Sequence, residues 1–109
     1  MIINLKKECK YQTITREEGN KINKLINSVW DRENKIIIDF GNILIASVSF
    51  IDEAFGKLAF EYSKNILKKK LGFKNMLDYD KALLNDILTS RYRQKNLDQN
   101  GKSMLHNRD

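Results

Sequence analysis

The chain has 109 residues, 20 of them Lys or Arg and 14 Asp or Glu, for a formal charge of +6. That length suits one domain with a core of its own, and a single cysteine with a single histidine excludes an internal disulfide and a Cys/His zinc site. No apolar run approaches the ~18 residues of a membrane span, and the lysine-broken first ten residues lack the apolar stretch of a signal peptide, so the composition points to a soluble, cytoplasmic protein.

In chain order, Met1 to Leu5 (MIINL) reads as a first strand, Lys6 to Lys10 as a charged turn, and Gln12 to Ile14 as a second short extended piece. Thr15 and Glu18 have capping-box spacing. Ile22, Leu25, Ile26, Val29 and Trp30 then recur at i, i+3, i+4, i+7 and i+8, which predicts an amphipathic helix over Arg16 to Asp31. Gly19 inside its first turn implies close approach by another backbone. The β-branched run Ile36, Ile37, Ile38 predicts a central strand covered on both faces, ending at Asp39 and Gly41. Ile43 to Phe50 is an apolar connection with room for a short edge pairing. A helix is predicted from Asp52 to Lys70, with Phe55, Leu58, Ala59, Tyr62 and Ile66 on its inner face and Leu71-Gly72 as a glycine cap. Phe73 to Met76 is short enough for a last strand. Asp78 or Asp80 then caps a third helix to Gln94, with Leu84, Ile87, Leu88 and Arg91 or Tyr92 facing inward. The polar segment 96–109 reads as a flexible C-terminal tail on a domain of residues 1–95.

These elements predict a small single-domain α/β sandwich with about four strands in a mixed sheet and three main helices. Within it, TREEGNKI (Thr15 to Ile22), IIIDF (Ile36 to Phe40) and SFIDEAFGKL (Ser49 to Leu58) resemble the STAS-like family of unknown function, relatives of the anti-sigma factor antagonist domains. The resemblance spans Thr15 to Arg93. In those antagonists the matching turn is Asp-Ser-Ser-Gly, whose serine is phosphorylated by a partner kinase. Carried onto this chain, Asp52 matches the aspartate and the serine positions fall on Glu53 and Ala54. The resemblance therefore implies a protein-interaction module without that phosphorylation switch, unless Ser47 or Ser49 replaces it. Glu53 stands either as a phosphoserine mimic or, more simply, as an acidic residue stabilising a helix start.

No catalytic set emerges. Asp52 and Glu53 are adjacent on a helix and diverge by ~100 degrees, so they do not converge on one substrate atom. Asp39 reads as a carboxylate satisfied by loop N–H groups, and Cys9 as a free surface thiol far from any histidine. The scattered glycines form no phosphate-binding loop. Neither a metal nor another cofactor is expected.

The excess charge lies in the second half: residues 1–56 hold 8 basic and 8 acidic groups, residues 57–109 hold 12 and 6. Much of it is lysine, in keeping with the Lys, Ile and Asn bias of AT-rich coding in a bacterium or phage. Lys68, Lys69, Lys70, Arg91 and Arg93 are candidates for binding a polyanion, although cations at helix C-termini also serve the helix dipole. The leading expectation is a non-enzymatic regulator that binds a partner protein, an anti-sigma-type kinase for example, through Ser47, Ser49, Asp52, Glu53 and Phe55. The rivals are an anti-CRISPR-like inhibitor of a defence nuclease and a direct nucleic-acid binder.

Overall fold

A computed structural model describes residues 1–9 and 15–108 of the chain. Three strands, β1 (Ile2–Asn4), β2 (Ile36–Asp39) and β3 (Leu71–Lys74), form a parallel sheet in the order β1-β2-β3. The helices are α1 (Leu5–Glu8), α2 (Arg16–Val29), α3 (Val48–Ile51), a π-helical turn over Asp52–Gly56, α4 (Leu58–Glu61), α5 (Lys64–Lys70) and α6 (Asp78–Arg108). The α/β class and the central place of the IIID strand are as expected. The mixed four-stranded sheet with three helices is not: among the described residues the sheet is three-stranded and parallel, and the helices are more numerous. The extended piece at Gln12 to Ile14 lies outside the described residues.

Parallel order explains the layering. Both crossovers, β1 to β2 and β2 to β3, advance in the same direction. Right-handed crossovers of that kind place their helices on one face of the sheet. Ile3, Ile36, Ile38 and Leu71 point into that face and are buried. Ile2, Ile37 and Gly72 pair in register on the opposite face, where Ile2 is 57% exposed and Ile37 is half-buried. The expectation that all three isoleucines are covered is thus corrected: only Ile36 and Ile38 are. What shelter Ile37 has comes from its neighbours, since it lies across Gly72, beside the Lys35 stem.

Helix α2 starts as its capping residue dictates, with the Thr15 hydroxyl accepting from Glu18 N at 3.4 Å. Glu18 does not reach back to close the box; its Oε2 is buried without a partner among the described residues. The close approach foreseen at Gly19 is real: a Cβ there would lie 2.6 Å from the Phe50 carbonyl and 3.0 Å from Glu53 Cβ. Four residues on, the buried Asn23 amide donates to the Ala54 carbonyl at 3.2 Å, tying α2 to the π-helical turn. Asn27 donates to Asn23 Oδ1 and accepts from the Tyr62 hydroxyl, so a polar chain runs along α2. Tyr62 itself stacks on Trp30 with ring centroids 4.1 Å apart.

The segment predicted as one helix from Asp52 to Lys70 differs at three points. It begins earlier, capped by Ser47, whose hydroxyl accepts from Phe50 N. It widens at the π turn, closed by Lys57 N donating to Asp52 O. It breaks at Tyr62, which is extended, and restarts with Ser63 capping α5. The break rotates the next turn, leaving Ile66 48% exposed while Leu67 is buried. Leu71-Gly72 is no glycine cap, because both residues already belong to β3 and Gly72 does not adopt positive φ. Helix α6 runs on to Arg108 rather than stopping near Gln94.

Gly19→Ala is expected to destabilise the fold by about 1–3 kcal/mol, because the new methyl meets backbone that cannot swing away. A lowered urea midpoint with an unchanged m-value checks this.

Candidate functional site

At the carboxyl ends of the strands, the loop from Phe40 to Ser47 is built from left-handed turns and held from one side. Gly41, Asn42, Ala46 and, across from them, Asn75 have φ of 64, 60, 50 and 55 degrees. Asp39 organises the turn, accepting from Gly41 N at 2.8 Å and Asn75 Nδ2 at 2.9 Å, with Lys74 Nζ at 3.8 Å. The Asn75 bond, the Gly41 bond and the nearby lysines hold its carboxyl below the usual value, which is the satisfied carboxylate foreseen. Asn42 N donates to Asn75 O, so the loop lies along the connection from β3 to α6.

Asp80 completes the clamp. It caps nothing in its own helix; its fully buried carboxylate accepts from Ile45 N at 2.7 Å and Ala46 N at 2.8 Å. Carboxylate acceptors of this kind make stronger bonds than neutral ones. The clamp draws Ile45 inward to 7% exposure and turns its neighbours out: Leu44 is 55% and Val48 60% exposed, with Tyr79 at 61% and Leu77 at 37% on the facing end of α6. Exposed apolar side chains thus stand on and beside a loop whose backbone is held by Asp80.

The acidic pair lies elsewhere in its helix than the sequence suggested. Since Ser47 caps the helix, Asp52 and Glu53 are a turn inside it, in the π-helical segment, and neither stabilises the helix start. Glu53 pairs with Lys57 at 2.8 Å and Arg16 at 3.3 Å. Asp52 takes a two-pronged bond from Arg91, through Nε at 2.7 Å and through Nη2, and the same guanidinium lies 5.2 Å over the Phe60 ring. The two carboxylates diverge, one toward α2 and one toward α6. Phe55 is fully buried and packs on Phe73, so it contributes core and no contact surface. Ser47 is spent on its cap and Ser49 is half-buried. Of the proposed contact stretch, the outward side chain is Val48.

The five candidate cations are differently engaged. Arg91 is committed to Asp52. Lys70 Nζ sits 5.1 Å over the Trp30 ring, Lys68 faces a groove between α5 and α6, and Arg93 is exposed. Lys69 contributes its carbonyl to Lys35 Nζ. Cys9 is buried, at 6% exposure, against expectation; Leu5 and Lys21 neighbourhoods enclose it, and burial, then Glu18, push its thiol up to about 11. It is no nucleophile at neutral pH. No cluster of three His, Cys, Asp or Glu groups fit to hold a metal occurs among the described residues.

Sequence reasoning missed Leu44, Tyr79 and the Asp80 clamp. In Ile43-Leu44-Ile45-Ala46 every residue is apolar, so no alternation distinguishes the outward side chains. Asp80 sits where a helix cap belongs, and only the fold reveals that it serves another segment.

Two measurements follow from this geometry. Asp52→Ala and Arg91→Ala, combined in a double-mutant cycle, are expected to show a coupling of about 0.5–3 kcal/mol in urea unfolding. Folding holds the Cys9 thiol protonated, so its contribution to stability is complete below the unfolded value of 9.0 and is lost as pH rises toward about 11. At pH 8 only about a thousandth of such a thiol is thiolate, so its reaction with a disulfide reagent is expected to be slow until denaturant is added.

Comparison with known proteins adds the family. Neither a search of curated proteins nor one of solved structures returned a significant match. Among the described residues no helix is long and apolar enough to cross a membrane. The model of a STAS-like domain of unknown function (DUF4325) matches residues 18–81, a span that takes in α2, β2, the clamped loop, the π-helical turn, β3 and the start of α6. The chain belongs to this family of STAS-like domains.

Proposed function

We propose that this domain is a non-enzymatic regulatory module of a bacterium or phage that binds a partner protein through the clamped loop and the first turn of α6. The observation that carries the reading is the exposure of Leu44, Val48 and Tyr79 on backbone held by the buried Asp80 carboxylate. Apolar side chains fixed in position lose little entropy on docking, which favours affinity. Ligands of open α/β sheets gather at the carboxyl ends of the strands, where this loop lies. In the antagonist domains that the chain resembles, the corresponding loop and helix start receive a kinase partner. The relevant surface here is shifted: Leu44, Val48 and Tyr79 replace Ser47, Ser49, Asp52, Glu53 and Phe55 as the contact residues, because Ser47 is spent on a cap, Asp52 and Glu53 on ion pairs and Phe55 on the core, and Ser49 is half-buried.

The partner surface is complementary in kind, an apolar protein face. An anti-sigma-type kinase or a defence nuclease would have to present such a face. A nucleic acid is disfavoured as the main partner, since the loop patch is apolar and Lys70 and Arg91 are engaged within the domain.

Photo-crosslinking from position 44 or 48 in host cells identifies the partner, which is then purified for calorimetry. Leu44→Asp with Val48→Asp is expected to weaken that complex at least tenfold without lowering the melting temperature, while Lys68→Glu leaves it unchanged. Undiminished binding by the double aspartate variant overturns the reading.

A further inference from the structure

Beside β3 lies a second feature, independent of the loop. Helix α6 packs on the π-helical turn, α3 and α4 and leaves a groove of about 760 Å³ between itself, α5 and the outer edge of β3. Its floor is apolar, formed by Leu67, Leu71, Phe73, Leu84, Leu88 and Tyr92. Four lysines line it: Lys35 before β2, Lys64 and Lys68 one turn apart on α5, and Lys81 in the first turn of α6. No carboxylate is among the lining residues. Lys64 and Lys68 have no ion-pair partner among the described residues, and Lys81 meets only the fully exposed Asp78 at 3.7 Å.

We infer that this groove receives an extended, acidic segment of a partner protein, which adds to β3 as a further strand. Three observations fix the occupant. Strand β3 ends the sheet among the described residues; the Leu71 N–H is taken by the Leu67 carbonyl, which leaves the edge beyond it, around Phe73, to pair as in peptide binding by strand addition. The α6 wall from Lys81 to Asn96 is about 22 Å long at the helical rise, matching about seven residues of extended chain. The four lysines come from three separate elements, the approach to β2, α5 and the start of α6, so they suit a chain with several carboxylates better than an amphiphile with one head group. A second copy of this chain is disfavoured, because pairing β3 with β3 would bring the lysines of both copies together. Alternation along the entering strand then places apolar side chains on the Phe73 and Leu88 floor and carboxylates toward Lys64, Lys68 and Lys81.

The test is selection of random ten-residue peptides displayed on phage against the whole protein, followed by titration of the enriched peptide into ¹⁵N-labelled protein. Alternating acidic and apolar sequences are expected, with amide shifts concentrated at Leu71 to Lys74. Lys64→Glu with Lys68→Glu, both surface changes, is expected to weaken the peptide at least tenfold, and N-methylation of alternate peptide residues to do the same by removing main-chain donors. Basic or uncharged winners, shifts confined to the loop around Leu44, or full affinity of the N-methylated peptide each overturn the inference. So does competition by dodecanoate at lower concentration than the peptide, which marks an acyl-chain site, or displacement by single-stranded RNA sensitive to the same lysine changes. Leu44→Asp with Val48→Asp is expected to leave peptide binding intact, so failure of the loop reading and failure of this one are separately visible.

Discussion

The seating of α2 on the π-helical turn governs the packing of this domain. The turn has one residue more than an α-helical turn would, which widens the helix between Asp52 and Lys57. Gly19 lets the α2 backbone approach to within contact of Phe50 and Glu53, and Asn23 satisfies the Ala54 carbonyl from the buried side. On the far side, Gly56 and Ile87 meet closely, and Asp52 turns outward to Arg91. A single five-residue segment thus sets the positions of two long helices. Interiors packed at crystal-like density transmit such constraints, since neither helix has slack to take up a shift.

The acidic pair within that turn acquires a structural meaning from its surroundings. Asp52 is partly shielded, and a guanidinium that matches its two oxygens is the residue type suited to the site. Phe60 beneath Arg91 adds a face that lysine would use less well. Glu53 is served by a flexible pair, Lys57 and Arg16, and such exposed pairs contribute little individually. The pair therefore fastens helices together, and the exposed apolar side chains lie on the segment before it.

That loop shows how a buried charge shapes a surface. Asp80 is removed from solvent and compensated by two backbone N–H groups of the loop, for which its carboxylate oxygens are the acceptors. Ile45 is drawn in, while Leu44 beside it and Val48 at the start of α3 stand out. The bare face of the sheet follows from topology in the same way: successive crossovers on one side leave Ile2 and Ile37 opposite them.

Sequence alone determined the elements that depend on local chemistry. Thr15 before a 3.6-residue apolar period yields α2, the isoleucine run yields a central strand, and Gly19 marks a close approach, because each signal acts over a few residues. The family resemblance rests on the same local stretches. Tertiary structure decided everything that hinges on which face an element shows. The helix start moved to Ser47 because the hydroxyl there finds Phe50 N, and the helix broke at Tyr62 because its side chain is held on Trp30 and Asn27. Ile37 stayed half-covered because both crossovers fall on one side. Cys9 went inward, Asp80 left its helix to hold another segment, and the lysines divided between Trp30 and the groove. The Ser47 cap is local, but in the other cases the partner is 20 or more residues away or on a separate element, and no pattern along the chain encodes that distance.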